Sequence, residues 1–141
     1  MEIKFGYYAI IDDSLLKMYH SNKGWELISN KLDFVKYGFT QKDNYCFKII
    51  DKNINISAFR VQTYCTYKGF KFFIESFSNE IYYTRPLEDA MKHFKDYPRQ
   101  GYDPMYEFTE NEMSDIWEER KPIEGFKFDV EPIVYLKRKG E

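Results

Sequence analysis

Along residues 3–11 the apolar side chains alternate, with Ile3, Phe5, Tyr7, Ala9 and Ile11 on one side, the period of a half-buried strand. Asp12 and Asp13 then offer helix caps, and a short helix is expected over residues 14–20, broken by Ser21-Asn22-Lys23-Gly24. A second helix is expected from Trp25, Ile28, Leu32 and Val35, spaced by three and four, with Gly38 where a left-handed C-terminal cap belongs.

The middle of the chain reads as a meander of strands. One is expected over residues 45–51, leading on through an Asp51-Lys52-Asn53 turn. Lys68-Gly69 supplies a two-residue loop with a glycine for positive φ, and this sets a hairpin register. Tyr67 faces Phe70, Cys65 faces Phe72 and Thr63 faces Ile74, with Val61 and Phe59 extending the same apolar face. The opposite face pairs Thr66 with Lys71, Tyr64 with Phe73, Gln62 with Glu75 and Arg60 with Phe77, a mixed set that suits a wetted or lightly covered surface.

Pro86 suits the first turn of a helix whose stripe is Leu87, Ala90, Met91 and Phe94, and Tyr97-Pro98 ends it. Thr109 and Glu112 have capping-box spacing and Phe108 can staple onto Met113, so another helix is expected, burying Met113, Ile116 and Trp117. In the tail Phe126, Phe128 and Val130 alternate, while Pro132 confines residues 133–136 to an edge or broken strand. The elements together predict an α+β fold, a mainly antiparallel sheet of about four to six strands with three to four helices packed on it, as a single domain over residues 1–141. Trp25, Ile28, Leu32, Leu87, Met91, Phe94, Ile116 and Trp117 are the side chains expected to pack on the sheet.

Composition supports a packed core. The apolar fraction is 43%, and 13 Phe and 13 Tyr supply much of it, each filling a large volume and favouring strands. With 23 acidic residues against 21 Lys and Arg, the formal charge of -2 provides no global field for nucleic acid or an anionic membrane. Two cysteines, Cys46 and Cys65, fall short of the disulfide density of small secreted domains and are expected to be free and buried. The first residues lack the basic, apolar and cleavage regions of a signal peptide, and no run is long enough to span a bilayer, so the expected location is the cytoplasm.

Catalytic and metal chemistry find little to build on. His20 and His93 lack a second ligand at helical spacing, no glycine pattern cradles a phosphate, and no nucleophile elbow is present. No catalytic residue, cofactor or metal is therefore assigned, although scattered carboxylates such as Asp12-Asp13 and Glu118-Glu119 leave an enzyme as one alternative. Residues 68–75, Lys-Gly-Phe-Lys-Phe-Phe-Ile-Glu, resemble the central motif of RNA-recognition domains at Lys68, Gly69, Phe70 and Phe72, which implies RNA binding as a second alternative. Lys71, Phe73 and Glu75 depart from that motif, and the hairpin register sends Phe70 and Phe72 to the core face.

Charge is uneven along the chain. Residues 103–124 hold eight acidic residues against Arg120 and Lys121, a net of -6. On the expected helix Glu112, Asp115 and Glu119 form one stripe, the candidate docking face for a basic protein partner, with Tyr102 and Tyr106 as aromatic anchors. A Lys-, Asn-, Tyr- and Phe-rich α+β domain with such a face resembles the immunity proteins encoded beside bacterial polymorphic or contact-dependent toxins. The resemblance is one of overall type and carries no shared motif. It implies a cytoplasmic antidote that binds a toxin domain, often a basic nuclease, and covers or distorts its active site. From the charge and the motifs, no cofactor, small-molecule substrate or membrane is expected, and nucleic acid is not the expected partner.

Overall fold

The computed structural model describes residues 2–51, 55–94, 99–100 and 103–139. Its strands are β1 (Gly6–Ile11), β2 (Ser14–Ser21), β3 (Gly24–Ser29), β4 (Thr40–Lys42), β5 (Tyr45–Ile50), β6 (Ser57–Tyr67), β7 (Phe70–Ser78) and β8 (Ile81–Pro86). After the helix α1 (Glu88–His93) come β9 (Arg99–Gln100), β10 (Asp103–Pro104), β11 (Tyr106–Phe108), β12 (Ile116–Pro122) and β13 (Ile133–Lys137). Single 3-10 segments occupy Leu32–Tyr37 and Glu110–Glu112. The expected α+β fold with three to four helices is thus corrected to a mostly antiparallel β fold, with one six-residue α-helix among the described residues. Among the described residues no helix is long and apolar enough to cross a membrane.

The chain divides into two compact units, and β6 and β12 each contribute a part to both. One unit comprises Gly6–Val61 and Arg120–Val130. Its strands run in the order β6 (residues 57–61), β1, β2, β3, β5, β4, every neighbour antiparallel. Residues 14–20 are a strand, not the expected helix. Leu16 and Met18 are buried while Leu15 and Tyr19 are exposed, so the operative period is two. Asp12 and Asp13 do not cap a helix but form a two-residue hairpin turn, both in the left-handed region with φ of 49° and 61°.

The helix expected from Trp25 to Val35 is replaced by β3 and a 3-10 segment. Trp25, Leu27 and Ser29 are buried in alternation, whereas the stripe would have buried Leu32 and Val35, which are 42% and 47% exposed. Gly38 does cap the 3-10 segment in the left-handed conformation, φ 88°, with its N–H donating to the Val35 carbonyl. Gly24 has φ 122°, and a Cβ there would lie 2.9 Å from the Ile50 carbonyl oxygen of the paired strand. The core of this unit is Ala9, Leu16, Met18, Trp25, Leu27, Phe34, Phe39, Cys46, Ile50 and Ala58. Lys127 bridges Ser57, and no alternating strand forms from Phe126 to Val130. The expected strand at residues 45–51 is β5, while the turn proposed to follow it lies partly outside the described residues.

The other unit comprises Met1–Phe5, Gln62–Glu119 and Glu131–Glu141. Its strand order is β11, β8, β7, β6 (residues 62–67), with residues 116–119 of β12 beside β6 and paired to β13. Thr63↔Ile74, Tyr64↔Phe73, Cys65↔Phe72, Thr66↔Lys71 and Tyr67↔Phe70 form the β6–β7 register, as the Lys68-Gly69 loop predicts, with φ of 50° and 82° at the two turn residues. Beyond Ile74 the β7–β8 pairing slips at a bulge, so Phe77 faces Tyr82 on β8.

Cys65, Phe72, Ile74, Tyr82, Ala90, Phe108, Met113 and Ile116 form the core of this unit. A helix does form here as α1, but Pro86 ends β8 instead of opening the helix, Leu87 and Phe94 are its extended N-cap and C-cap, and of the stripe only Ala90 is fully buried within it while Met91 is 39% exposed. The Tyr97-Pro98 stop lies outside the described residues. Thr109 and Glu112 form the capping box, but it closes a single turn, and Ile116 and Trp117 lie on β12 rather than on a helix. Ile28, Leu87, Phe94 and Trp117 are half-buried, and of the expected packing set Trp25 and Ile116 are fully in the cores.

Candidate protein-binding face

The unit that holds β7 and β12 carries a row of aromatic rings on the face opposite its core. Alternation puts Tyr64 on β6, Phe73 on β7 and Trp117 on β12 outward, because their neighbours Cys65, Phe72 and Ile116 point inward. Ring centroids step from Phe5 to Phe73 (5.9 Å), Phe73 to Tyr64 (5.8 Å), Tyr64 to Trp117 (6.1 Å, stacked) and Trp117 to Tyr135 on β13 (6.1 Å). The middle of the row is sealed, with Tyr64 at 9% exposure. Its ends are open, with Phe5 at 52% and Tyr135 at 44%.

Cations lie over these rings. Lys71 Nζ stands 4.1 Å from the Tyr64 ring and 5.8 Å from that of Trp117, and the Arg138 guanidinium is 3.9 Å from Tyr135. Lys71 donates to Glu119 Oε2 at 2.7 Å, and the Trp117 indole N–H donates to the same oxygen at 3.0 Å. Arg85 forks onto the Glu75 carboxylate at 2.7 and 3.3 Å. Lys71 and Arg85 are thereby matched by carboxylates, whereas Arg138 has no ion-pair partner among the described residues, so a partner covering the face would desolvate rings, two matched ion pairs and one open cation.

No family model, curated protein or solved structure matches this chain.

The acidic stripe does not form, because Glu112 ends a 3-10 turn, Asp115 lies in the connection that follows and Glu119 is on β12. Glu112 is exposed at the capping box, its carboxylate accepting the Thr109 N–H at 2.9 Å and hydroxyl at 3.0 Å. Asp115 is half-buried and accepts from the Thr66 hydroxyl at 3.3 Å and the Lys139 N–H at 2.7 Å. Glu119 alone joins the aromatic face. Tyr106 is half-buried among Tyr67, Phe72, Phe94 and Phe108, so it is largely a core-rim residue. Tyr102 lies outside the described residues.

Trp117, Tyr135, Phe5 and Lys71 were missed as a group. The signal that could have found them is strand alternation, Ile116 and Glu118 against Trp117 and Glu119, which a helical reading of the same residues scrambles. Phe70 and Phe72 of the segment resembling an RNA-recognition motif pack inward, Phe72 fully buried and Phe70 stacked 4.4 Å from His93. His20 packs 4.6 Å from Trp25. Both cysteines are free and buried, and burial pushes the Cys65 thiol up to about 12. Among the described residues no group of three or more His, Cys, Asp or Glu is placed to hold a metal ion.

Proposed function

We propose that this chain is a protein-binding inhibitor of the immunity type, which captures a bacterial toxin domain in the cytoplasm and covers its active site. The observation that carries the reading is the open-ended aromatic row Phe5, Phe73, Tyr64, Trp117 and Tyr135, with Arg138 over its exposed end. Tryptophan, tyrosine and arginine are the residues that dominate protein interfaces, since they offer large rigid area together with a polar tip. Bases could also stack on such a row, but a strand of nucleic acid needs positive charge along its backbone, and Glu119 and Glu75 neutralise Lys71 and Arg85. That balance favours a protein.

The test is co-expression with the toxin domain encoded by an adjacent reading frame, reading cell growth, and titration of the purified pair. The expected result is rescue by the parent chain. Tyr135→Ala combined with Arg138→Ala should weaken binding by about 2 kcal/mol, roughly thirtyfold, with an unchanged circular dichroism spectrum. A folded chain that neither binds nor protects would sink the reading.

A further inference from the structure

The aromatic face leaves a second feature of the same unit unexplained. The β7 bulge sets Phe77 opposite Tyr82, and Tyr82 is in turn opposite Phe108 on β11. Tyr82 and Phe108 are each 3% exposed, whereas Phe77, at the end of this row, is 40% exposed. Its ring lies 4.3 Å from that of Tyr82 at an angle of 31°, so one face is packed and the other is available. The Asn79-Glu80 turn and the Thr109-capped turn rise on either side, and between them lies a cavity of about 600 Å³.

The cavity has a mixed lining in which Phe77 and Ile81 meet amide, hydroxyl and carboxylate groups. Glu80, Glu110, Asn79 and Asn111 border it, and the Tyr82 ring is almost wholly buried while its hydroxyl, which makes no hydrogen bond among the described residues, is not shut away from solvent. Burial and the nearby Glu110 carboxylate both raise the Tyr82 hydroxyl above its ordinary value. Neither Glu80 nor Glu110 has an ion-pair partner among the described residues. Lys137, the cation beside Glu110, donates instead to the backbone carbonyls of Glu110 and Met113, at 2.8 Å each.

We propose that this cavity is a binding site for a guanidinium group, occupied by an arginine side chain of the partner protein. A planar cation can stack on the open Phe77 face while its edge N–H groups fork onto Glu110 and Glu80, and the unpaired Tyr82 hydroxyl accepts from the same group. An ammonium group offers neither the plane nor the fork, which makes arginine the better ligand than lysine. The volume exceeds a guanidinium alone and leaves room for the methylene stem and adjoining backbone. The arginine's origin on a protein rests on the inhibitor reading above, while the site chemistry stands by itself.

The test uses N-acetyl-arginine methylamide as probe, followed by amide chemical shifts of the full chain, with the citrulline and lysine analogues as controls. The expected result is saturable shifts at Phe77, Tyr82 and Glu110 with the arginine probe, weaker shifts with lysine and none with citrulline. Glu80→Gln with Glu110→Gln should weaken the probe by about tenfold or more, as charge-assisted hydrogen bonds do when lost. Tyr82→Phe preserves the ring and should weaken it less. Citrulline binding as well as arginine, a double variant that binds like the parent, or no saturable shift at these amides overturns the site. If the probe binds as expected while co-expression gives no protection, the site stands and the inhibitor reading falls. If protection is at full strength and the probe does not bind, the site falls and the inhibitor reading stands.

Discussion

A carboxylate shut away from water needs a cation close by, and Glu118, at 1% exposure, has Lys4 at 3.4 Å among its partners. The same lysine ties down the first residues, because its carbonyl accepts the buried Thr63 hydroxyl at 2.9 Å. Lys4→Met keeps the length of the stem and removes the charge, so it should cost about 2–3 kcal/mol, below the range for a fully buried pair because Lys4 is partly exposed. Urea unfolding of the two proteins checks it. Cys65 makes a separate test by pH. Its thiol titrates at about 12 when folded against an ordinary 9.0, so the unfolded chain ionises first as pH rises. The stabilising preference is whole below pH 9.0 and is lost progressively toward 12, by at most about 1.4 kcal/mol per pH unit. Urea midpoints for parent and Cys65→Ala at pH 8 and pH 10.5 should therefore converge at the higher pH.

Among the elements, those with a local signature were legible in the sequence. Lys68-Gly69 sets the β6–β7 register by itself, and the Thr109–Glu112 box and the Gly38 cap form where their spacing puts them. Residues 14–20 and 25–35 were not legible. Residues 14–20 and 25–29 carry apolar side chains on both strand faces, Leu15 beside Leu16 and Leu27 beside Ile28, so a helical stripe can be drawn through them as readily as an alternation, and only the strands paired beside them decide between the two. The candidate face suffered for the same reason, since Glu119 and Trp117 share it only if residues 116–122 are a strand. The two hairpin glycines give a prediction at this scale. At Gly69, φ is 82° and an added Cβ meets nothing within 4 Å, so Gly69→Ala should cost about 1 kcal/mol of backbone strain. At Gly24 the φ of 122° is accompanied by the Ile50 carbonyl at 2.9 Å, so Gly24→Ala should cost about 3 kcal/mol. Equal melting temperatures for the two variants would remove the argument from close strand approach.

For the molecule as a whole, a formal charge of -2 conceals where the negative charge is available. Of the acids in residues 103–124, Glu118 is buried beside Lys4, Glu119 pairs with Lys71 and Asp115 serves the Thr66 hydroxyl, whereas Glu107 and Glu110 are exposed. Long-range attraction of a basic partner therefore rests on the exposed acids and not on the stripe that a helix would have presented. Glu107→Lys with Glu110→Lys should leave the melting temperature almost unchanged, since exposed substitutions stay within about 0.5 kcal/mol each. Association with a basic toxin domain should slow by about tenfold at low salt, the difference shrinking as the screening length falls to about 8 Å at physiological ionic strength, and loss of Glu110 from the guanidinium site should add a faster dissociation that salt does not remove. Glu119→Lys behaves differently, because it sets a second cation against Lys71 over the Tyr64 and Trp117 rings. It should lower the melting temperature and speed dissociation with little salt dependence. Stopped-flow association at two salt concentrations separates the two effects, and an association rate indifferent to both salt and Glu107/Glu110 reversal would show that encounter is not steered by this part of the chain.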